Sequence, residues 1–179
     1  MSKTINSATG LFQFVPLTVF TFYSFRTGVP TQERLFNGFM IGAVVAVIQL
    51  LWLMRQQRPA NRLVLGANLW LIIGGAAVFL QLWGVLKIYR ELREAGVLAG
   101  MFEIGIVTTL FSPAGYVGSM NGEAALVRKY SYLLLFATML ALLFGLYFRG
   151  NTLLAAVIPI VILAVLNRLF NKKLAQQTE

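Results

Sequence analysis

The sequence predicts an all-α fold, a polytopic bundle of six transmembrane helices that forms one integral membrane domain over residues 1–179. Composition is the first reason: 58% of the residues are hydrophobic and 12% are charged, whereas soluble domains carry about a quarter charged residues. The second reason is that the hydrophobic residues form runs of about 20, which cross roughly 30 Å of hydrocarbon as helices. The predicted spans cover residues 11–25, 36–54, 63–86, 97–118, 131–148 and 152–170.

The first predicted span is the shortest. As a helix its 15 residues would extend about 22 Å, and Pro16, Thr18 and Thr21 interrupt its apolar character. No small-x-small cleavage site follows Phe25, so we expect the segment to be retained rather than removed as a signal peptide. Five complete crossings, with this segment short, tilted or partly inserted, are therefore the alternative to six.

The first span also carries a distinctive string. Residues 14–23 run Phe-Val-Pro-Leu-Thr-Val-Phe-Thr-Phe-Tyr, and the informative positions are Phe14, Pro16, Leu17, Phe20 and Tyr23. This string resembles the opening of the intracellular septation protein A family, small bacterial inner-membrane proteins that typically begin with a Phe-x-Pro-Leu-x-Val-Phe-like run ending in Tyr. A looser similarity in the order of spans, glycine pairs and basic connectors extends over the first 110 residues.

The resemblance implies a location and a class of function. The family is implicated in cell-envelope maintenance and division, so the chain is expected to support the envelope, septation and membrane homeostasis from the bacterial inner membrane. The expected partners are membrane lipids, other inner-membrane division or envelope proteins, and a second copy of the chain. The family has no catalytic residues to carry over onto this sequence.

The residue types that are missing argue against an enzyme. Cysteine, histidine and aspartate are absent from the sequence, which removes disulfides, thiol chemistry, Cys/His zinc sites, haem ligation by histidine and histidine general bases. We therefore predict no catalytic residues, no metal and no cofactor. The net charge of +9 comes from basic residues spread among short connectors, which favours topology signals and lipid headgroup contacts over nucleic-acid binding.

Basic residues in the connectors predict the orientation of the chain. Arg55, Arg58 and Arg62 form the clearest basic connector, and Lys172 and Lys173 lie in a basic tail suited to anionic headgroups. With six spans, nine Lys and Arg residues fall on the side of both termini and six on the other side, which predicts that both termini are cytoplasmic. If the first span does not cross, the split becomes eight against seven, and the N-terminus lies opposite the tail.

Glycines in the second to fourth spans predict close helix packing, because a residue without a side chain lets two helix backbones approach. These glycines are Gly38, Gly42, Gly74, Gly75, Gly96 and Gly100. For Gly38 and Gly42, which stand one turn apart, packing within the chain and a dimer interface are both open alternatives.

The segment after the third span is expected to form an amphipathic helix. Its predicted apolar face consists of Val85, Ile88, Tyr89 and Leu92. We predict that this helix lies at the membrane interface, either as a solvated extension of the third span or as a surface that binds a partner or lipid. In the fourth span, Pro113 and Gly115 are expected to bend or end the last turns.

Glu103 is the only acidic residue within any predicted span. An ionised side chain in hydrocarbon is energetically costly, so this carboxylate needs a partner, water or a proton. A basic partner, a hydrogen bond or protonation would make Glu103 a structural group. The alternative is a ligand or ion site in a small carrier or channel, with a polar pocket formed by Glu103, Asn68, Gln81, Thr108 and Thr109.

Overall fold

The computed structural model describes residues 14–27, 31–55, 61–120 and 123–177. Helices account for 84% of the structure and no strand occurs in these residues, which confirms the all-α prediction. Five helical segments are long and apolar enough to cross a membrane: Gln32–Arg55, Arg62–Phe79, Trp83–Phe111, Ala124–Tyr147 and Leu153–Ala175. Their length and composition are compatible with a multi-pass membrane protein.

We number the α-helices of the described residues in chain order. They are α1 (Val15–Phe25), α2 (Gln32–Arg55), α3 (Arg62–Phe79), α4 (Trp83–Leu92), α5 (Gly96–Phe111), α6 (Ala124–Tyr147) and α7 (Ile158–Ala175). A 3-10 turn, Arg93–Ala95, joins α4 to α5, and a π-helical turn, Leu153–Val157, leads into α7.

The first predicted span forms a short helix. α1 has 11 residues, which extend about 16 Å and fall short of the hydrocarbon thickness. Pro16 stands in its first turn, where the missing N–H would have no partner within the helix. Residues 11–13 of the predicted span lie outside the described residues. The structure therefore supports five spanning helices by length and does not confirm the sixth.

The third predicted span ends earlier than residue 86. α3 stops at Phe79, and Gln81 follows with a φ of 53°. The N–H of Gln81 donates to the Val78 carbonyl oxygen and the N–H of Leu82 donates to the Ala77 carbonyl oxygen, the pair of bonds that defines a Schellman helix end. Glycine usually occupies the left-handed position of this turn, so a glutamine there gave no sequence signal.

The amphipathic segment leads into the fourth span instead of extending the third. α4 passes through the 3-10 turn into α5, so Trp83–Phe111 is one continuous helical segment. The buried residues of α4 are Leu86 and Tyr89, whereas Ile88, which also belongs to the predicted apolar face, is 55% exposed. Because α4 begins after a turn, the directions in which its side chains point are set by its own packing and do not continue the helical periodicity of α3.

The fourth predicted span also ends early. α5 stops at Phe111, Ser112 is extended, and residues 113–118 form turns in which Gly115 has a φ of 58°. Pro113 has no N–H to continue the helical ladder, and Gly115 adopts the left-handed conformation that side chains disfavour. The expectation that these two residues end the last turns of the span is confirmed.

The turns after α5 fold back into the protein. Tyr116 is fully buried, and its hydroxyl donates to the Met101 carbonyl oxygen at 2.9 Å. Thr138 of α6 lies within hydrogen-bond distance of the same phenol oxygen, at 3.4 Å. The ring fits beside Gly105, where a Cβ would lie 2.8 Å from Tyr116 Cε1. Tyr116 therefore ties the connector to both helices that flank it.

The last span contains an irregular turn before its proline. In the π-helical turn the N–H of Ile158 donates to the Leu153 carbonyl oxygen, five residues back rather than four. The turn lies directly before Pro159, whose ring would clash with the Ala155 carbonyl in a regular α-helix. The irregularity next to Pro159 is thus a widened turn.

The Cα positions group the chain into two compact units, each described by itself. The first unit comprises Met1–Arg58 and Asn68–Arg90, and the second unit comprises Pro59–Ala67 and Glu91–Glu179. That both units belong to one membrane domain stays a prediction.

Aromatic rings fill the core of the first unit. The Trp70 and Tyr89 rings stack with centroids 3.6 Å apart, and the Tyr89 hydroxyl donates to the Trp70 carbonyl oxygen at 2.8 Å. The Phe39 ring meets Tyr89 edge-on at 5.2 Å, and the Phe20 ring lies 4.7 Å from Phe39. These four rings come from four helices, α1 to α4, so they hold the unit together across its helix interfaces.

Glycines make room for these rings. A Cβ on Gly74 would lie 2.5 Å from Phe39 Cδ1 and 2.7 Å from Tyr89 Cε1. A Cβ on Gly75 would collide with the Ala43 side chain and lie 3.1 Å from the Phe39 carbonyl oxygen. Any side chain at these two positions would therefore displace α2 or the Tyr89 ring.

The space beside Gly38 and Gly42 is filled within the first unit. A Cβ on Gly38 would collide with the Ser24 hydroxyl, and one on Gly42 would lie 3.1 Å from Phe20 Cβ and 3.4 Å from Leu71 Cδ2. Both glycines are buried. These contacts favour packing within the chain over a dimer interface at this pair.

The second unit also contains close backbone contacts. A Cβ on Gly66 would lie 2.8 Å from the Gly100 carbonyl oxygen and 2.6 Å from Met101 Cα, so the first turns of α3 lie directly on the backbone of α5. Gly96 and Gly100 are both buried in α5.

Candidate functional site

Glu103 lies on the exposed side of α5. Within the described ranges its carboxylate forms neither a hydrogen bond nor an ion pair. An exposed side chain on a membrane-length helix faces lipid, the interface or another protein. Glu103 lies about 10 Å along the helix from Gly96, near enough to one end of α5 for a long side chain to extend toward interfacial water.

Two residues of the predicted polar pocket belong to the first unit, whereas Glu103 belongs to the second. Asn68 is 1% exposed, and its side-chain amide donates to Gln49 Oε1 at 2.7 Å. Gln81 is exposed in the turn after α3. Asn68 therefore serves an interhelical hydrogen bond between α3 and α2, the role that polar side chains commonly have between membrane helices.

The other two residues of the predicted pocket share α5 with Glu103 but lie on its buried side. Thr108 is 8% exposed, and its hydroxyl donates to the Ile104 carbonyl oxygen at 2.6 Å. Thr109 is 4% exposed. Because Glu103 is exposed and both threonines are buried, the second unit does not bring the carboxylate together with either hydroxyl.

A cleft of about 390 Å³ lies where α5 ends and α6 begins, entirely within the second unit. Its wall combines the last turn of α5, the turns that follow and the first turns of α6. The lining residues that bear on its chemistry are Thr109, Phe111, Ser112, Ala124, Ala125 and Arg128. The cleft thus has an apolar part, two hydroxyls, a helix start and a cation.

Thr109 is the buried polar group of this cleft. Its Oγ1 is inaccessible to solvent and has no hydrogen-bond partner in the residues that the structure describes, in contrast to the neighbouring Thr108. A buried hydroxyl without a partner costs about 1–3 kcal/mol. Because the oxygen itself is inaccessible, it lies behind the wall of the cleft and does not open into it.

The start of α6 contributes unpaired donors. Glu123 precedes the helix and makes no side-chain capping bond, and its carbonyl oxygen accepts the N–H groups of Leu126 and Val127 at 3.0 Å. The N–H groups of Ala124 and Ala125 have no acceptor in the described chain. α6 has 24 residues, so its dipole adds partial positive charge at this end. Orphan N–H groups and a helix dipole favour an anion.

Asparagines hold the connector that forms one wall of the cleft. The Asn171 side chain on α7 donates to the Val117 carbonyl oxygen at 3.0 Å. The Asn167 side chain, one turn earlier, donates to Asn61 Oδ1 at 3.2 Å. Asn61 in turn caps α3 by accepting the N–H of Leu63 at 3.0 Å. These bonds place the starts of α3 and α6 and the end of α7 at one end of the second unit.

At the other end of the second unit, charged side chains bond backbone groups and one another. The Arg149 guanidinium donates to the Glu91 carbonyl oxygen at 3.0 Å. Glu94 Oε2 accepts the N–H of Gly150 at 3.2 Å and lies 3.8 Å from Arg93 Nε. The Glu94 side chain is only 5% exposed, so its charge is compensated locally. At the opposite end, the Thr109 hydroxyl has no hydrogen-bond partner among the described residues.

The predicted headgroup residues lie at helix ends. Arg55 closes α2, and Lys172 and Lys173 are exposed in the last turn of α7. Arg62 opens α3, and its Nε is buried with no partner in the described ranges. Arg58 lies outside the described residues.

The string that carries the family resemblance lies at α1. Phe14 precedes the helix, and Pro16 is buried in its first turn. Leu17 and Phe20 are partly buried, and Phe20 contacts the Phe39 ring. The Arg26 guanidinium lies 5.7 Å from the Tyr23 ring centroid, a cation–π contact. In the structure these residues form α1 and its packing contacts.

No family model, no curated protein and no solved structure matches this chain. The resemblance of residues 14–23 to the septation family therefore stays a prediction from the sequence.

The grouping of Ser112 and Arg128 with Thr109 at one cleft was not predicted from the sequence. A signal was present: Ser112-Pro113 ends one apolar run, and Arg128 lies near the start of the next. The sequence did not show that residues 113–118 fold back and leave a cleft, since a proline and two glycines end a helix without fixing the path that follows.

Proposed function

We propose that this chain is a non-enzymatic multi-pass protein of the bacterial inner membrane that supports cell-envelope maintenance, septation and membrane homeostasis through helix and lipid contacts. The observation that carries the proposal is how the polar groups between helices are used. Tyr116, Asn68 and Tyr89 each hydrogen-bond to another part of the chain, which is the chemistry of helix packing. The resemblance of residues 14–23 supplies the link to the envelope and septation.

Lipid contact is supported by the charge at one end of the second unit. The asparagine bonds place the start of α3 and the end of α7 at the same end as the cleft. The basic residues at this end are Arg62, Arg128, Lys129, Arg168, Lys172 and Lys173. Such a cluster favours the cytoplasmic side and attracts anionic headgroups. The C-terminal tail is cytoplasmic in this proposal, and so is the N-terminus if the first segment also crosses.

Protein partners are supported by Glu103. An exposed carboxylate on a spanning helix is stabilised when a neighbouring membrane protein offers a basic or hydrogen-bonding group. The rival function is a small carrier or channel that uses Glu103 as its ion site. The exposed position of Glu103 favours a contact surface over an enclosed transport site.

The proposal is tested in a bacterium that carries this chain. Cells depleted of the chain should show longer cells and a more permeable envelope, and Glu103→Gln should restore both to within about twofold of the wild type. Purified chain in proteoliposomes should show no ion flux above empty vesicles. Flux that Glu103→Gln abolishes, together with a normal envelope after depletion, would establish the carrier and overturn the proposal.

A further inference from the structure

We propose that the turn between α3 and α4 lies in the lipid bilayer, just below the headgroups, and anchors the first unit to acyl chains. The proposal rests on the membrane role proposed above and names lipid as the partner of one surface. It is carried by two observations on the same turn: its apolar side chains are exposed, and its backbone N–H groups bond acceptors within the chain.

α3 and α4 form a helical hairpin within the first unit. The Tyr89 ring stacks on Trp70, and the Tyr89 hydroxyl donates to the Trp70 carbonyl oxygen, so α4 folds back along α3. Phe79, the last residue of α3, lies about 13 Å along the helix from Trp70. Residues 79–83, which we call the tip, therefore project beyond the aromatic core of the unit.

Apolar side chains dominate the surface of the tip. Gln81 is its one polar residue. The other four residues are large, apolar and between 46% and 74% exposed: Phe79, Leu80, Leu82 and Trp83. By contrast, the turn between α6 and the last helix exposes Arg149 and Asn151. A contiguous exposed apolar group of this kind marks a surface that contacts a membrane or another protein.

The backbone of the tip favours lipid as the partner. The N–H groups of residues 80–83 all donate to carbonyl oxygens of the chain, at 2.8 to 3.2 Å. The acceptors belong to Ala76, Val78, Ala77 and Gln81. Backbone that is not helical is stable in hydrocarbon only when its polar groups are bonded internally, because acyl chains offer no hydrogen-bond partner. A turn in water needs no such arrangement.

The residues after the tip indicate its depth. Gly84 and Val85 lie in the first turn of α4, where N–H groups have no acceptor within the helix and need water or headgroup oxygens nearby. Trp83 is a residue type that prefers the membrane interface. Lys87, one helical turn later, is exposed, and its long side chain can extend to the headgroups. These features place the tip below the headgroups and away from the middle of the bilayer.

The test uses nitroxide labels on the full-length chain, which contains no cysteine of its own. Leu80→Cys and the matched control Lys87→Cys are each labelled and reconstituted into vesicles of dioleoyl phosphatidylcholine and dioleoyl phosphatidylglycerol. Electron paramagnetic resonance then measures collisions with oxygen, which concentrates in lipid, and with a nickel chelate, which stays in water. We expect the label at residue 80 to favour oxygen by about threefold and the label at residue 87 to favour nickel.

Each other result at residue 80 overturns the proposal. More collisions with nickel than with oxygen would show that the turn lies in water. Few collisions with either probe would show that protein covers the turn, as in an assembly with a second copy of the chain. Circular dichroism equal to that of the wild type confirms that the labelled chains are folded.

A charge in the tip provides a second readout. Leu80→Asp should lower the midpoint of thermal unfolding in phosphatidylcholine nanodiscs by about 4 °C, because a carboxylate is unfavourable in lipid. Asn151→Asp is the matched control, since an aspartate can also accept the N–H of Leu154 at the start of the last helix. Its midpoint should stay within about 1 °C of the wild type. An unchanged midpoint for Leu80→Asp would contradict the immersion of the tip.

The outcome separates this proposal from the proposed function. A chain that is needed for a normal envelope but holds the tip in water overturns the anchor and leaves the membrane role standing. A chain that holds the tip in lipid but can be depleted without an envelope defect overturns the membrane role and leaves the anchor standing.

Discussion

In the first unit, contacts between helices are made by aromatic rings that lie against glycines, as in the group of Phe39, Trp70 and Tyr89 around Gly74. In the second unit, hydroxyls and amides also bond backbone carbonyls of neighbouring segments, as Tyr116 bonds Met101 and Asn171 bonds Val117. Ring packing depends on the shape of the space beside each glycine, whereas hydrogen bonds tolerate a change of shape but not the loss of one atom. The two units should therefore fail in different ways.

The largest effect is expected from filling a glycine space in the first unit. Gly75→Leu would force a side chain into the Ala43 side chain and the Phe39 backbone. We expect a loss of about 3 kcal/mol, near the upper end of the usual range for overpacking. The measurement is unfolding of the purified chain by sodium dodecyl sulfate, followed by circular dichroism.

Gly84→Leu is the matched control for this substitution. A Cβ at Gly84 would meet nothing within 4 Å, and Gly84 is exposed in α4. Its free energy of unfolding should stay within about 0.5 kcal/mol of the wild type. If Gly75→Leu is equally mild, the first unit does not depend on glycine spaces.

A smaller effect is expected from removing one hydroxyl in each unit. Tyr116→Phe keeps the ring beside Gly105 and loses the bond to the Met101 carbonyl, so we expect a loss of about 1 kcal/mol in the same assay. Tyr89→Phe removes the bond to the Trp70 carbonyl but keeps the ring stack at 3.6 Å, so its loss should be the smaller of the two. The opposite order would contradict the division between ring packing and hydrogen bonding.

The smallest effect is expected from Glu103→Gln. The carboxylate is exposed and has no partner in the described ranges, so its removal breaks no bond within the unit. Because an ionised group facing hydrocarbon is unfavourable, the free energy of unfolding in lipid bicelles should stay the same or rise by up to about 1 kcal/mol. A clear fall would show that Glu103 has a partner or pocket that stabilises its charge.

The helices and the early end of α5 followed from the sequence for simple physical reasons. Apolar runs of membrane length have few alternatives to helix, and Pro113 cannot donate the next helical hydrogen bond. The number of membrane crossings was less well determined by the sequence. The first span is apolar enough to be predicted as a crossing, but α1 has 11 residues, which is shorter than the hydrocarbon thickness requires.

The candidate site was less predictable than the helices. Glu103 was predicted as a site because it is the only acidic residue within a predicted span. Its position on the exposed side of α5 depends on how the helix is rotated, and one acidic residue does not determine that rotation. Thr109 was predicted to share a pocket with Glu103, whereas it lines the cleft between α5 and α6. That cleft exists because Tyr116 draws the connector back against α5. That return depends on a contact between Tyr116 and Met101, 15 residues apart, and spacing rules for single helices do not reach so far.

The π-helical turn before Pro159 bears on how the length of the last helix can change. A turn of this type holds one residue more than regular helix while the faces before and after it keep their directions. Losing one residue inside Leu153–Val157 would restore a regular helical turn and bring the Pro159 ring against the carbonyl oxygen four residues before it. Losing one residue after Pro159 would rotate everything beyond it by about 100° and turn Asn167, which holds Asn61, away from its acceptor. The widened turn therefore both accommodates Pro159 and fixes the side of the last helix from which Asn167 bonds Asn61.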